Sequence, residues 1–161
     1  MKTANFPRFT VIKGNFYPLK MDKDWLISIC SVGDKDAPIA EGKFEKILFM
    51  KFDDTHEEGP DHCGITVEQA KEIADFIKEA REQNKNVWAN CQAGISRSGA
   101  IVAILMSLGW EFHETGLSPF RLPNSLVFKR VRQFFPEIQW EWEVKSSPDY
   151  IFDHIQTNML S

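Results

Sequence analysis

Residues 87–105 read VWANCQAGISRSGAIVAIL. The opening VWAN is a short run suited to a strand, and it leads straight into Cys91. From Ser98 to Leu108 the chain is apolar on nearly all sides, through Ile101, Val102, Ala103, Ile104, Leu105 and Met106, and Gly109 suits the position just past a helix end. The stretch therefore predicts a strand, a loop with the sequence CQAGISR, and a helix buried in the middle of the fold.

Outward from this stretch the same alternation repeats. WLISIC at 25–30 and KILFMKF at 46–52 are strand-like runs rich in β-branched and aromatic residues, and RFTVIKG near residue 11 is assigned to a third strand. Thr66 opens a capping box with Gln69 and starts an amphipathic helix over 67–83, with Ala70, Ile73, Ala74, Ile77 and Ala80 on one stripe. Asn124 can cap a helix over SLVFKRVRQFF, and Ser147-Pro148-Asp149 can start a terminal one carrying Ile151, Ile155 and Met159 on one face. WEWEVK at 140–145 suits an extended segment with Trp140, Trp142 and Val144 on one side. The expected fold is α/β, one domain over residues 1–161 with a mainly parallel central sheet flanked by helices. Ligands of such sheets bind beyond the C-terminal strand ends, where Cys91 falls.

Composition excludes several classes. With 161 residues, 43% hydrophobic and 26% charged, the chain suits one ordinary soluble core. A net charge of −4 argues against a nucleic-acid partner, which needs a broad basic surface. The longest apolar run, AIVAILM at 100–106, is too short to span a bilayer, and MKTANFPRFTVIKG lacks the apolar stretch of a signal peptide. Three cysteines, Cys30, Cys63 and Cys91, show no paired spacing, so a reducing compartment, the cytoplasm by default, is expected.

The loop itself carries chemistry. A strand-to-helix loop presents unpaired N–H groups and the positive end of the helix dipole, and both stabilise an anion. Gly94 can take the backbone angles of a tight concave turn, and Arg97 can bond two oxygens of one phosphate. The same field favours the thiolate form of a cysteine. Cys91 is thus expected to be a nucleophile aimed at phosphorus, with no cofactor and no metal.

NCQAGISRSGA resembles the signature loop of the protein tyrosine phosphatase superfamily, His-Cys-x-x-Gly-x-x-Arg followed by Ser or Thr, and most of all its dual-specificity branch. The resemblance extends over residues 44–134 and implies the cysteine-phosphatase fold. It implies that Cys91 forms a phosphocysteine intermediate and that Gln92, Ala93, Gly94, Ile95, Ser96 and Arg97 bind the phosphoryl group. It further implies that Ser98 assists breakdown of the intermediate. LPN at 122–124 resembles the Pro-Asn that opens a later helix in these enzymes, which makes Asn124 a supporting residue. Asn90 stands where the family has histidine; it cannot become cationic, so weaker support of the thiolate is expected. Dual-specificity domains end near the helix before residue 136, so the chain beyond is read as an extension that covers the sheet or forms a dimer contact.

A leaving oxygen needs a proton and the second step needs a base, and one carboxyl group can serve both. Asp54 is the expected acid because KFDDT resembles the family's strand end before the acid loop; Asp53 is its rival, and Glu57, Glu58 and Asp61 are also in reach. His56, His62 and Cys63 are only three potential ligands in one loop, with no second C-x-x-C or His pair beside them, and are read as solvated loop residues and not as a metal site. The expected activity is hydrolysis of phosphomonoesters, with phosphotyrosine, phosphoserine or phosphothreonine in a protein or peptide as the substrate and phosphate, sulfate or vanadate as loop ligands. No membrane partner is expected. The alternatives are a weak or inactive phosphate-binding module, motivated by Asn90, and a sulfur-transfer or arsenate-reducing enzyme with a similar loop.

Overall fold

A computed structural model describes residues 1–14, 16, 19–59, 61–117 and 122–139. Five strands, β1 (Lys2–Pro7), β2 (Trp25–Cys30), β3 (Lys46–Lys51), β4 (Val87–Cys91) and β5 (Glu111–Phe112), form one sheet in the order β3-β2-β4-β1-β5. Every pairing between these strands is parallel. Among the described residues, α1 (Arg8–Lys13), α2 (Val67–Glu82) and α3 (Arg97–Ser107) lie between strands, and α4 (Ser125–Arg132) follows β5. The expected α/β architecture with a parallel sheet is the one observed.

Strand β4 lies at the centre, and its alternation assigns the two faces. Val87, Ala89 and Cys91 join the larger core, built with α2, α3 and α4, whereas Trp88 joins a smaller one with Phe6, Val11, Phe16, Leu26 and Phe44. Burial on both faces explains why β2 is buried at all six positions and reads as apolar throughout except at Ser28. Helix α3, exposed almost nowhere from Arg97 to Met106, fills the larger core as its sequence requires. Helix α2 begins with the full capping box, Thr66 accepting from the Gln69 backbone and Gln69 from that of Thr66.

One expectation needs correction. RFTVIKG is helix α1, not a strand: Pro7 precedes its first residue and Gly14, at φ 62°, ends it, its N–H bonding the Thr10 carbonyl. These breakers outweigh the β-branched Thr10-Val11-Ile12 run. The strand in this region is the preceding KTANFP, which pairs with β4 from Thr3 opposite Val87 to Pro7 opposite Cys91. The WEWEVK segment and the helix expected from Ser147 lie outside the described residues. Among the described residues, no helix is long and apolar enough to cross a membrane.

Candidate active site

Parallel strands place their C-terminal ends on one edge, so residues just past β1, β2, β3 and β4 meet there. Cys91 closes β4, and its Sγ lies buried 3.2 Å from the Ser98 hydroxyl in the first turn of α3. Arg97 is 5% exposed, with Nη1 donating to the carbonyl of Phe52 beyond β3 (2.8 Å) and to the hydroxyl of Ser31 beyond β2 (3.1 Å). Its buried Nε has no partner. The guanidinium is therefore anchored by one nitrogen to the strand ends while another donor stays open, the arrangement needed to grip an oxyanion.

Between them the N–H groups of the loop backbone are equally unpaired. Among the described residues, no hydrogen bond is donated by the backbone N–H of Gln92, Ala93, Gly94, Ile95 or Ser96. Ser96 occupies the N-cap of α3 but makes no side-chain cap bond, which leaves the helix entrance open to a ligand. Its hydroxyl instead donates to Asp54 Oδ1 at 2.8 Å.

The floor under the loop comes from β1, a contribution the sequence reading missed. Asn5, fully buried, donates from Nδ2 to the Gly94 carbonyl at 2.6 Å, and the Arg8 N–H reaches the Gln92 carbonyl at 3.2 Å. Gly94 has φ 73°, and a Cβ there would overlap the backbone of Phe6 and Pro7. Only glycine satisfies both the angle and the contact.

On the opposite side the two candidate aspartates part ways. Asp53 Oδ1 accepts from the Val32 N–H (3.0 Å) and closes the connection to β2. Asp54, exposed, turns to the loop: Oδ1 accepts from Ser96 and from Asn124 Nδ2 (2.7 Å), so Oδ2 is the oxygen left to carry a proton. Asn124 also caps α4 by accepting from the Val127 N–H at 3.0 Å, and its own N–H bonds the Ser96 carbonyl. Glu57 pairs with His62 and Glu58 with Lys129 and Arg130, the Lys129 bond holding the Glu58 carboxyl below its ordinary range. His56 bonds Ser125, and among the described residues no three His, Cys, Asp or Glu side chains converge as metal ligands. Asp61 is exposed. Cys30 ends β2 without such a cradle, and burial pushes its thiol up.

Asn90 is fully buried, opposite Phe6 on β1 and Ser28 on β2, on the sheet face away from Cys91. Neither atom of its amide has a hydrogen-bond partner. The support for the loop that an amide could give is therefore not made.

The crystal structure of human tyrosine phosphatase-like serine/threonine/tyrosine-interacting protein superposes with a TM-score of 0.50 at 15% identity, over 96% of this chain and 89% of that one. The chain has the dual-specificity phosphatase fold. The comparisons also return human DUSP28 (TM-score 0.44, 12% identity, 98% of this chain and 91% of that) and Tk-PTP in the active form (TM-score 0.42, 20% identity, 98% and 90%). No family model and no curated protein matches the sequence. The loop after β4 and the loop after β3 that carries Asp54 face each other across the end of the sheet.

Proposed function

We propose that this protein hydrolyses phosphomonoesters on phosphotyrosine, phosphoserine or phosphothreonine of a protein or peptide, through a phosphocysteine. The observation that carries this reading is the convergence of Cys91, the anchored Arg97 with its open Nε, and Asp54 held against the same loop by Ser96 and Asn124. In the first step Cys91 Sγ attacks phosphorus, an S–P bond forms, the ester P–O bond breaks, and Asp54 gives its proton to the leaving oxygen. Arg97 and the N–H groups of Gln92 to Ser96 stabilise the equatorial oxygens. Water then attacks phosphorus, the Asp54 carboxylate takes its proton, and the thiolate leaves with a hydrogen bond from Ser98.

No step calls on a metal or cofactor. Three free cysteines are compatible with a reducing, cytoplasmic setting, and the acidic balance favours phosphoprotein over nucleic acid or anionic membrane as partner. The absence of lysine from positions 92–96 disfavours a polyphosphorylated substrate.

Asn90 favours a second reading, a phosphate-binding module with little turnover, because its buried amide gives the loop no hydrogen bond. The decisive experiment is hydrolysis of an aryl phosphate by wild type, Cys91→Ser and Asp54→Asn, with vanadate as inhibitor. Turnover that vanadate blocks and Cys91→Ser abolishes supports the phosphatase. Phosphopeptide binding with no turnover in the wild type supports the module, and turnover that survives Cys91→Ser sinks both.

A further inference from the structure

His56 lies in the acid loop just past Asp54, and its Nδ1 stands 2.8 Å from the Ser125 hydroxyl and 3.3 Å from the Ser125 backbone nitrogen. A backbone N–H can only donate, so in this contact Nδ1 is the acceptor. Ser125 is the first residue of α4, and its N–H is one of the donors that a helix leaves unpaired at its start. Beside it, Asn124 Nδ2 donates to Asp54 Oδ1 (2.7 Å) and to the Thr55 carbonyl (3.0 Å). The loop is thus fastened to the start of α4 by neighbouring bonds, and among the side chains that make them the imidazole of His56 is the one that protonation would turn from acceptor to donor at Nδ1.

We propose that His56 is a positioning residue for Asp54: neutral, it clasps the acid loop to α4, and protonated, it lets the loop go. The proposal rests on the reading of Asp54 as the proton donor. An imidazolium at this place would keep the Ser125 hydroxyl as an acceptor but would point N–H at the Ser125 N–H and face the positive end of the α4 dipole, which weakens the clasp. The surrounding charges act in both directions. Lys129 and Arg130 on α4 oppose a second cation, while Asp54, Glu57 and Glu58 on the loop favour it; Glu58 is already paired with Lys129 and Arg130, and Glu57 with His62. What changes with pH is therefore the clasp and not merely the local charge.

Two substrates separate positioning from general damage. An alkyl phosphate needs the proton that Asp54 supplies, whereas p-nitrophenyl phosphate, whose leaving group is acidic, needs it far less. His56→Ala is expected to lower kcat about 10-fold on the alkyl ester, a fraction of the ~100-fold or more that general acids contribute, and less than about 2-fold on the aryl ester. His56→Asn, whose Oδ1 can accept from Ser125 without ever charging, is expected to recover most of that loss and to flatten the acidic limb of the kcat profile. An equal fall on both substrates, or none on either, overturns the proposal.

Side-chain NMR of the full chain decides the clasp without any turnover. Between pH 8 and 5 the Asn124 amide and Ser125 N–H resonances should move with the midpoint of His56 in the wild type and stay still in His56→Asn. Asn124 resonances that ignore the His56 titration overturn the proposal even if the enzyme is active. Coupled resonances in a protein that hydrolyses neither ester would sink the phosphatase reading and uphold the clasp.

Discussion

The two walls of the loop after β4 are built differently. The β1 wall is buried: Asn5 is inaccessible, Gly94 lies on the Phe6–Pro7 backbone, and the Arg8 N–H fixes the Gln92 carbonyl. The opposite wall carries exposed Asp54 and His56 and is held by side chains, with Asp54 bonded to Ser96 and to buried Asn124, and His56 to Ser125. A buried backbone contact cannot yield without disturbing the core, whereas an exposed side-chain bond exchanges readily with water. The first wall is suited to fixing where an anion sits, and the second to delivering and taking up a proton.

Changes to the buried wall should therefore cost stability and ligand binding together, and changes to the exposed wall should cost catalysis alone. The largest effect is expected for Gly94→Ala. A non-glycine residue at φ 73° whose Cβ overlaps backbone should destabilise by about 3 kcal/mol or more and abolish vanadate binding, read by urea denaturation and calorimetry. Asp54→Asn should lower kcat on an alkyl phosphate by about 100-fold or more while leaving the unfolding midpoint nearly unmoved. Asp53→Ala should do the opposite, costing about 1 kcal/mol through the lost Val32 contact and little in kcat on the aryl ester. If the two aspartate variants behave alike, the separation of their roles within the loop after β3 fails.

Asn5→Ala removes the bond to Gly94 and should cost about 1–3 kcal/mol and weaken vanadate binding about 10-fold, since a buried carbonyl loses its partner. Asn90 lies behind the buried wall and makes no bond, so Asn90→Leu should leave stability unchanged or raise it by about 1 kcal/mol. Asn90→His, on the other hand, tests thiolate support, and an acid shift of Cys91 alkylation relative to wild type is its expected outcome.

The smallest effect concerns Asp24, at the far end of the sheet. Burial raises its carboxyl above the ordinary range, against hydrogen bonds from Trp88 Nε1 (2.8 Å) and Asn86. A carboxyl raised in the folded state binds more protons there than in the unfolded chain. Its contribution to stability is fullest below the unfolded pKa, falls as pH rises through the raised value, and is flat above it. Asp24→Asn should remove that slope from the difference between wild-type and variant unfolding curves, without altering vanadate binding.

How far the sequence could be read depends on what each inference required. The strand, loop and helix around Cys91 were legible because apolar period and glycine placement act over a few residues. β1 was not. Its inward positions carry Thr3 and Asn5 where a strand pattern calls for apolar residues, and it ends in Pro7. The β-branched residues that drew attention instead lie in α1, between the proline and Gly14. The pair of aspartates showed the limit of local reading, because both suit a loop and their difference lies in which partner each meets.

By itself the sequence determined the parallel α/β architecture and the strand, loop and helix around residues 91–97, since periodicity, capping and loop composition act between near neighbours. Tertiary structure alone decided that Asp54 and not Asp53 faces the loop, that Asn5 supports Gly94 across 89 positions, and that His56 meets Ser125 across 69. Such contacts depend on parallel strands bringing distant chain segments to one edge, and no short-range pattern encodes which side chains will meet there.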